Sequence, residues 1–148
     1  MTFSRFAVGV YIFAALSALI SVAAAALTSH GLASLAPTGE AAVEWFKIAT
    51  SFQINHAIGS IVVTAIAEQL AFGRPRMLMR ASAVLLAAGS FLFPVGLYSL
   101  SFGGPVFTAP YGGVSAMAGW ALFAVSAFLA LRAKSVEIEE TNAETFSD

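Results

Sequence analysis

The sequence has no cysteine at all, and only 10% of its 148 residues are charged. Without cysteine there is no disulfide framework, thiol chemistry, zinc knuckle or iron–sulfur ligation. Seven Lys+Arg against eight Asp+Glu leave a net charge of −1, so a basic nucleic-acid surface is also excluded. An average soluble domain is about 25% charged and about 45–50% apolar. Here 59% of residues are hydrophobic and the mean hydropathy is +0.86. That balance belongs to a lipid environment, and it rules out a disordered chain.

Four apolar runs stand out, at about residues 6–28, 52–72, 81–101 and 112–131. Each is about 20 residues, which at about 1.5 Å per residue crosses a hydrocarbon layer of about 30 Å. The runs are continuous and rich in Ala and Leu rather than alternating, so they read as helices. The expected fold is all-α: an integral membrane four-helix bundle over residues 1–134, followed by an acidic, disordered cytoplasmic tail over 135–148. Glu137, Glu139, Glu140, Glu144 and Asp148 give that tail its sign.

Basic residues orient the spans. Arg5 precedes the first; Arg74, Arg76 and Arg80 separate the second and third; Arg132 and Lys134 follow the fourth. With four spans all three places share one side, and short basic loops stay cytoplasmic. Both termini are therefore expected in the cytoplasm of a cell with this protein in its inner membrane. A cleaved signal peptide over 1–26 fits less well, because its apolar region would run to about 22 residues against the usual 7–15.

Between the spans, Pro37 to Thr50 carries Glu40, Glu44 and Lys47 around Trp45 and Phe46, which suits a short amphipathic interfacial helix before span two. Lys47 and Glu44 are an ordinary solvated pair. Gly103-Gly104-Pro105 and Pro110 predict a tight outer turn. Small residues mark close helix contacts in lipid: Ser82, Gly89 and Gly96 in span three; Gly112, Ser115, Gly119 and Ser126 in span four; Ser17, Ser21 and Thr28 in span one; Gly59 and Ser60 in span two. Pro94 should kink span three.

The polar residues inside the spans gather at one depth. Counted from the basic ends, His30 lies about 37 Å from Arg5, His56 about 25 Å from Phe72 and Tyr98 about 27 Å from Arg80. Gln53 and Asn55 flank His56. One outward-facing layer of His30, Gln53, Asn55, His56 and Tyr98 is therefore expected. Two readings of it stay open: a polar clamp that hydrogen-bonds the helices together, or a site in which two imidazoles bind a quinone oxygen, haem or a metal. Catalytic zinc wants three protein ligands and no carboxylate lies in the layer, so no metal or cofactor is assigned. Glu68, about 6 Å from the cytoplasmic end of span two, is expected to pair with Arg74 or Arg76, which leaves a proton-coupled transporter as the last alternative.

Several of these residues also form recognisable motifs. Ala24-Ala25-Ala26-Leu27-Thr28-Ser29-His30-Gly31-Leu32 resembles the small-residue run ending in His-Gly-Leu of the domain-of-unknown-function 423 family. Gln53-Ile54-Asn55-His56-Ala57 is similar to its Gln-x-x-His-Ala, and Gly96-Leu97-Tyr98 to the Ser-Leu-Tyr that ends its third helix. Ala109-Pro110-Tyr111-Gly112-Gly113 and Gly119-Trp120 resemble its Pro-Ile-Gly-Gly and Gly-Trp. Pro94-Val95 stands where the family has Ser-Gly, and Tyr111 where it has Ile. The resemblance implies a four-helix integral membrane protein of small bacterial inner-membrane or mitochondrial type, and brings no activity with it. No nucleophile–base pair, phosphate loop or carboxylate dyad is present, so the expectation is a non-enzymatic accessory or small-ligand-binding component. Its partners would be the bilayer and either another membrane protein or a second copy of itself.

Overall fold

A computed structural model describes residues 3–70 and 73–145, with side chains through Ala133. No strand occurs among the described residues. The helices are α1 (Arg5–Ser29), α2 (Leu32–Leu35), α3 (Glu40–Gln69), α4 (Arg74–Ser101) and α5 (Thr108–Thr145). The backbone of α5 thus continues into the acidic stretch, whose side chains lie outside the described residues. Among the described residues, three helical segments are long and apolar enough to cross a membrane: Arg5–Ser29, Arg74–Ser101 and Thr108–Ala133.

Two expected boundaries are corrected. The segment read as a separate interfacial helix is instead the first part of α3, which runs unbroken for 30 residues. Neither proline nor glycine falls between Glu40 and Ile58, so nothing interrupts the backbone ladder there. Pro110, expected in the outer turn, lies in the first turn of α5. A helix tolerates proline there because the first four N–H groups have no intrahelical partner. Gly103, at φ +78°, bends the chain in its place.

The connection from α1 to α3 turns on Gly31. Its φ of +96° lies in the left-handed region that side chains disfavour. The reversal delivers Leu32, 2% exposed, onto Ala24, Ala36, Ala42 and Phe46, with Tyr98 packed beside them. Thr38 then donates to the Ser101 carbonyl at 2.6 Å, which fastens this cap to the end of α4.

Helix α4 packs against α5 and α3, and α3 packs against α1. The α4–α5 seam is the one the small residues describe. A Cβ on Gly89 would stand 2.9 Å from the Ala116 Cβ, one on Gly96 2.8 Å from the Ala109 nitrogen, and one on Gly119 2.9 Å from the Leu86 side chain. At Gly112 it would fall onto the Phe93 backbone. Serines bind across the same contact: Ser82 donates to the Gly119 carbonyl at 2.7 Å, Ser115 to Leu85 at 2.8 Å and Ser126 to Pro75 at 2.5 Å. On α1 the buried stripe includes Ser17 and Ser21 but not Thr28, whose hydroxyl binds the Ala25 carbonyl of its own helix.

Candidate functional site

Helix α3 carries the polar residues, and its register against α1 sets their depth. Ser21 donates to the Thr50 carbonyl at 2.9 Å, and Gln53 Nε2 donates to Ser17 Oγ at 3.2 Å. Ser17 is the midpoint of α1, twelve residues or about 18 Å from either end. Gln53 therefore lies level with the middle of α1. The sequence count ran from Phe72 along span two alone, whereas α3 ends at Gln69 and its register against α1 sets Gln53 level with Ser17.

Gln53 is 3% exposed and joins three helices. Tyr98 Oη of α4 donates to Gln53 Oε1 at 2.7 Å. Ser17 of α1, which accepts from Gln53 Nε2, approaches Ser90 Oγ of α4 at 3.5 Å. Ser90 in turn donates to Ala87 O at 2.8 Å, so its own proton is used and the Ser17 proton points to Ser90. The result is one directed chain: Tyr98 to Gln53, Gln53 to Ser17, Ser17 to Ser90. Tyr98 reaches this level because side chains on a helix lean toward its N-terminus. Phe46 covers the tyrosine ring at 4.7 Å between centroids.

His56 belongs to a different contact. Its Nδ1 lies 2.7 Å from the Phe52 carbonyl. A carbonyl oxygen only accepts, so Nδ1 carries the proton in the neutral ring and Nε2 keeps the lone pair. The imidazole stacks on Phe52 at 3.9 Å, Phe52 stacks on Phe93 at 4.1 Å, and Trp120 meets His56 edge-on at 6.2 Å. Gly59, one turn along α3, leaves the room in which the Trp120 ring lies: a Cβ there would be 3.1 Å from it. His56 thus shares the Gly59 face, as the spacing suggests, but packs toward α5 and remains half-buried.

The expected layer separates into parts. The structure brings together Gln53 and Tyr98. It sets His56 in the aromatic stack, leaves Asn55 exposed on α3, and leaves His30 exposed at the end of α1. His30 caps that helix through its backbone N–H, which donates to Leu27 O at 3.2 Å. Among the described residues no group of three His, Cys, Asp or Glu is gathered to hold a metal. Ser90 is the participant the sequence did not single out; its position next to Gly89 on the small face of span three was the available signal.

At the basic end, Glu68 binds Arg80 at 2.7 Å and Arg76 at 3.5 Å. Arg76 was expected, and Arg80 replaces Arg74 because α4 begins at Arg74 and carries Arg76 and Arg80 one turn apart. Arg80 also approaches Ser4 Oγ at 3.4 Å. That same oxygen caps α1 by accepting from the Ala7 N–H at 3.1 Å. The guanidinium stands 4.9 Å above the Phe6 ring. One carboxylate thereby ties α3, α4 and the start of α1.

Apolar helices of spanning length with hydrogen bonds satisfied between them define an all-α, multi-pass membrane protein. Residues 24–113 match the family model "Protein of unknown function (DUF423)", and the chain belongs to that family. It is 36% identical over 131 residues to the UPF0382 inner membrane protein YgdD of Escherichia coli K12, covering 86% of this chain and 95% of that relative. The YgdD proteins of Escherichia coli O157:H7 and Shigella flexneri match equally over the same shares. No solved structure matches the chain.

Proposed function

We propose that the protein is a four-span, non-enzymatic component of the inner membrane, with both termini cytoplasmic, serving as an accessory or small-ligand-binding subunit. The fourth crossing is α3. It runs beside α1 from the Glu68–Arg80–Ser4 contact to the Ser21–Thr50 contact, and its lower apolarity comes from Gln53, Asn55 and His56. Six of the seven basic residues then lie on one side, the side that stays cytoplasmic. The observation that carries the non-catalytic reading is the Tyr98–Gln53–Ser17–Ser90 chain. These groups are bound to one another, so the polar centre organises the helices instead of presenting free groups to a substrate.

A second reading has its own observation. The His56 Nε2 lone pair, beside Trp120 and a half-exposed aromatic stack, suits a lipid-soluble ligand that donates a hydrogen bond, such as a quinol, or a haem or metal centre. Native mass spectrometry of protein gently extracted from its own membranes separates the two. A co-purifying polypeptide supports the accessory reading. A stoichiometric mass of a few hundred daltons, lost on His56→Ala while the fold is kept, supports the second. Turnover of a substrate by the purified chain refutes the first. Reporter fusions at both termini test the topology; an external signal from either end would refute it.

A further inference from the structure

Along α1, α4 and residues 108–131 of α5, the exposed residues beyond the terminal turns are apolar, as lipid requires. Helix α3 differs. Its exposed face follows the spacing three, four, three, four through Ile48, Ser51, Asn55, Ile58 and Val62. Among the described residues neither the Ser51 hydroxyl nor the Asn55 amide has a hydrogen-bond partner. Register places Asn55 two residues past Gln53, hence within about 3 Å of the α1 midpoint. An amide there is beyond reach of lipid headgroups, and leaving its donors and acceptor unmatched in hydrocarbon is unfavourable.

We propose that this face of α3 is the interface between two copies of the chain, an inference that rests on α3 being the fourth span. Two copies in one bilayer have the same orientation, so a twofold axis along the membrane normal sets their α3 helices parallel and brings each seam residue opposite itself. An amide offers both donors and an acceptor, so Asn55 of one copy completes Asn55 of the other. A three–four repeat is the spacing at which two helices stay in contact along their length, and a single seam asparagine fixes register and copy number. The β-branched Ile48, Ile58 and Val62, each about half exposed, supply the knobs. A shallow groove of about 460 Å³ lined by Lys47, Ile48, Ser51, Phe52, Asn55 and His56 receives them. At one end the seam reaches Glu44, whose charge is neutralised within its own chain by Lys47 at 2.8 Å.

Because the chain has no cysteine, single-cysteine variants test this directly in native membranes with a membrane-permeant oxidant. Disulfides need Cα atoms within about 7 Å. S51C and I58C, which keep Asn55, are expected to give a dimer of this chain, while V84C on α4 and M117C on α5 give background. Adding Asn55→Val to S51C should weaken association roughly 3- to 30-fold, the range of one interhelical hydrogen bond in a membrane, and Asn55→Gln should restore part of it. Seam positions that cross-link no better than V84C and M117C, or that cross-link to a different polypeptide, overturn the dimer. An impermeant maleimide tells this failure apart from failure of the topology. Labelling of I58C in sealed vesicles would remove α3 from the membrane and both readings with it; a protected, uncrosslinked I58C would remove the dimer alone.

Discussion

Gly112 and Gly113 are neighbours in one motif, yet the structure asks different things of them. A Cβ on Gly112 falls onto the backbone of Phe93, while one on Gly113 meets nothing nearer than the Phe93 ring at 4.0 Å. Backbone in the middle of α4 cannot swing aside as a side-chain tip can, so Gly112→Ala must push α5 away from α4. That separation also loosens the neighbouring contacts at Gly89 and Gly96. Both substitutions gain about the same helix propensity, up to about 1 kcal/mol, and the difference between them isolates the clash. Overpacking of this kind costs about 1–3 kcal/mol. Gly113→Ala should therefore be neutral or slightly stabilising, with Gly112→Ala about 1–3 kcal/mol below it. Reversible unfolding of the two variants in matched detergent or lipid bicelles measures the gap directly. Equal stabilities, or a more damaging Gly113→Ala, would refute the α4–α5 register.

The central chain makes a second prediction: a double-mutant cycle of Gln53→Leu and Tyr98→Phe should show a coupling of about 0.6–1.7 kcal/mol, the range found for interhelical bonds in lipid. Additive losses would mean that the 2.7 Å contact contributes nothing. Glu68→Gln leaves Arg76 and Arg80 without their carboxylate at sites only partly open to water. It should cost about 1–3 kcal/mol, between the surface and buried limits, and fray the start of α1 through Ser4, which amide exchange of Ala7 and Val8 would report. Unchanged exchange would separate Arg80 from the α1 cap. Gly31→Ala should destabilise the cap between α1 and α3 by about 1–2 kcal/mol, the strain of a left-handed backbone, seen as faster proteolysis there; wild-type resistance would count against that turn.

Much of this was legible in the chain because it depends on local spacing. The apolar runs marked α1, α4 and α5, and seven-residue intervals of Ser and Gly marked the faces that α4 and α5 press together. The Gly31 turn and the Gln53–Tyr98 partnership also belong to motifs visible in one dimension. What failed was register. Counting each span from its own basic end placed Gln53 about two turns away from the level of Ser17, and joined His30 to a layer from which it is separated by half of α1. Sequence names the depth of a residue only relative to its own helix, and α3 extends past its apolar run.

The solvent this protein occupies, its helical composition and the faces of α4 and α5 that can touch are all readable from the chain, since composition and 3.6-residue periodicity are properties of single segments. It took the packed helices to set Gln53 opposite Ser17, to stack His56 on Phe52 with Trp120 edge-on and away from His30, and to turn Asn55 outward. Those are relations between helices. They follow from how far one rigid helix slides and turns against another, a quantity set by side-chain contact across the interface and absent from the periodicity of either helix alone.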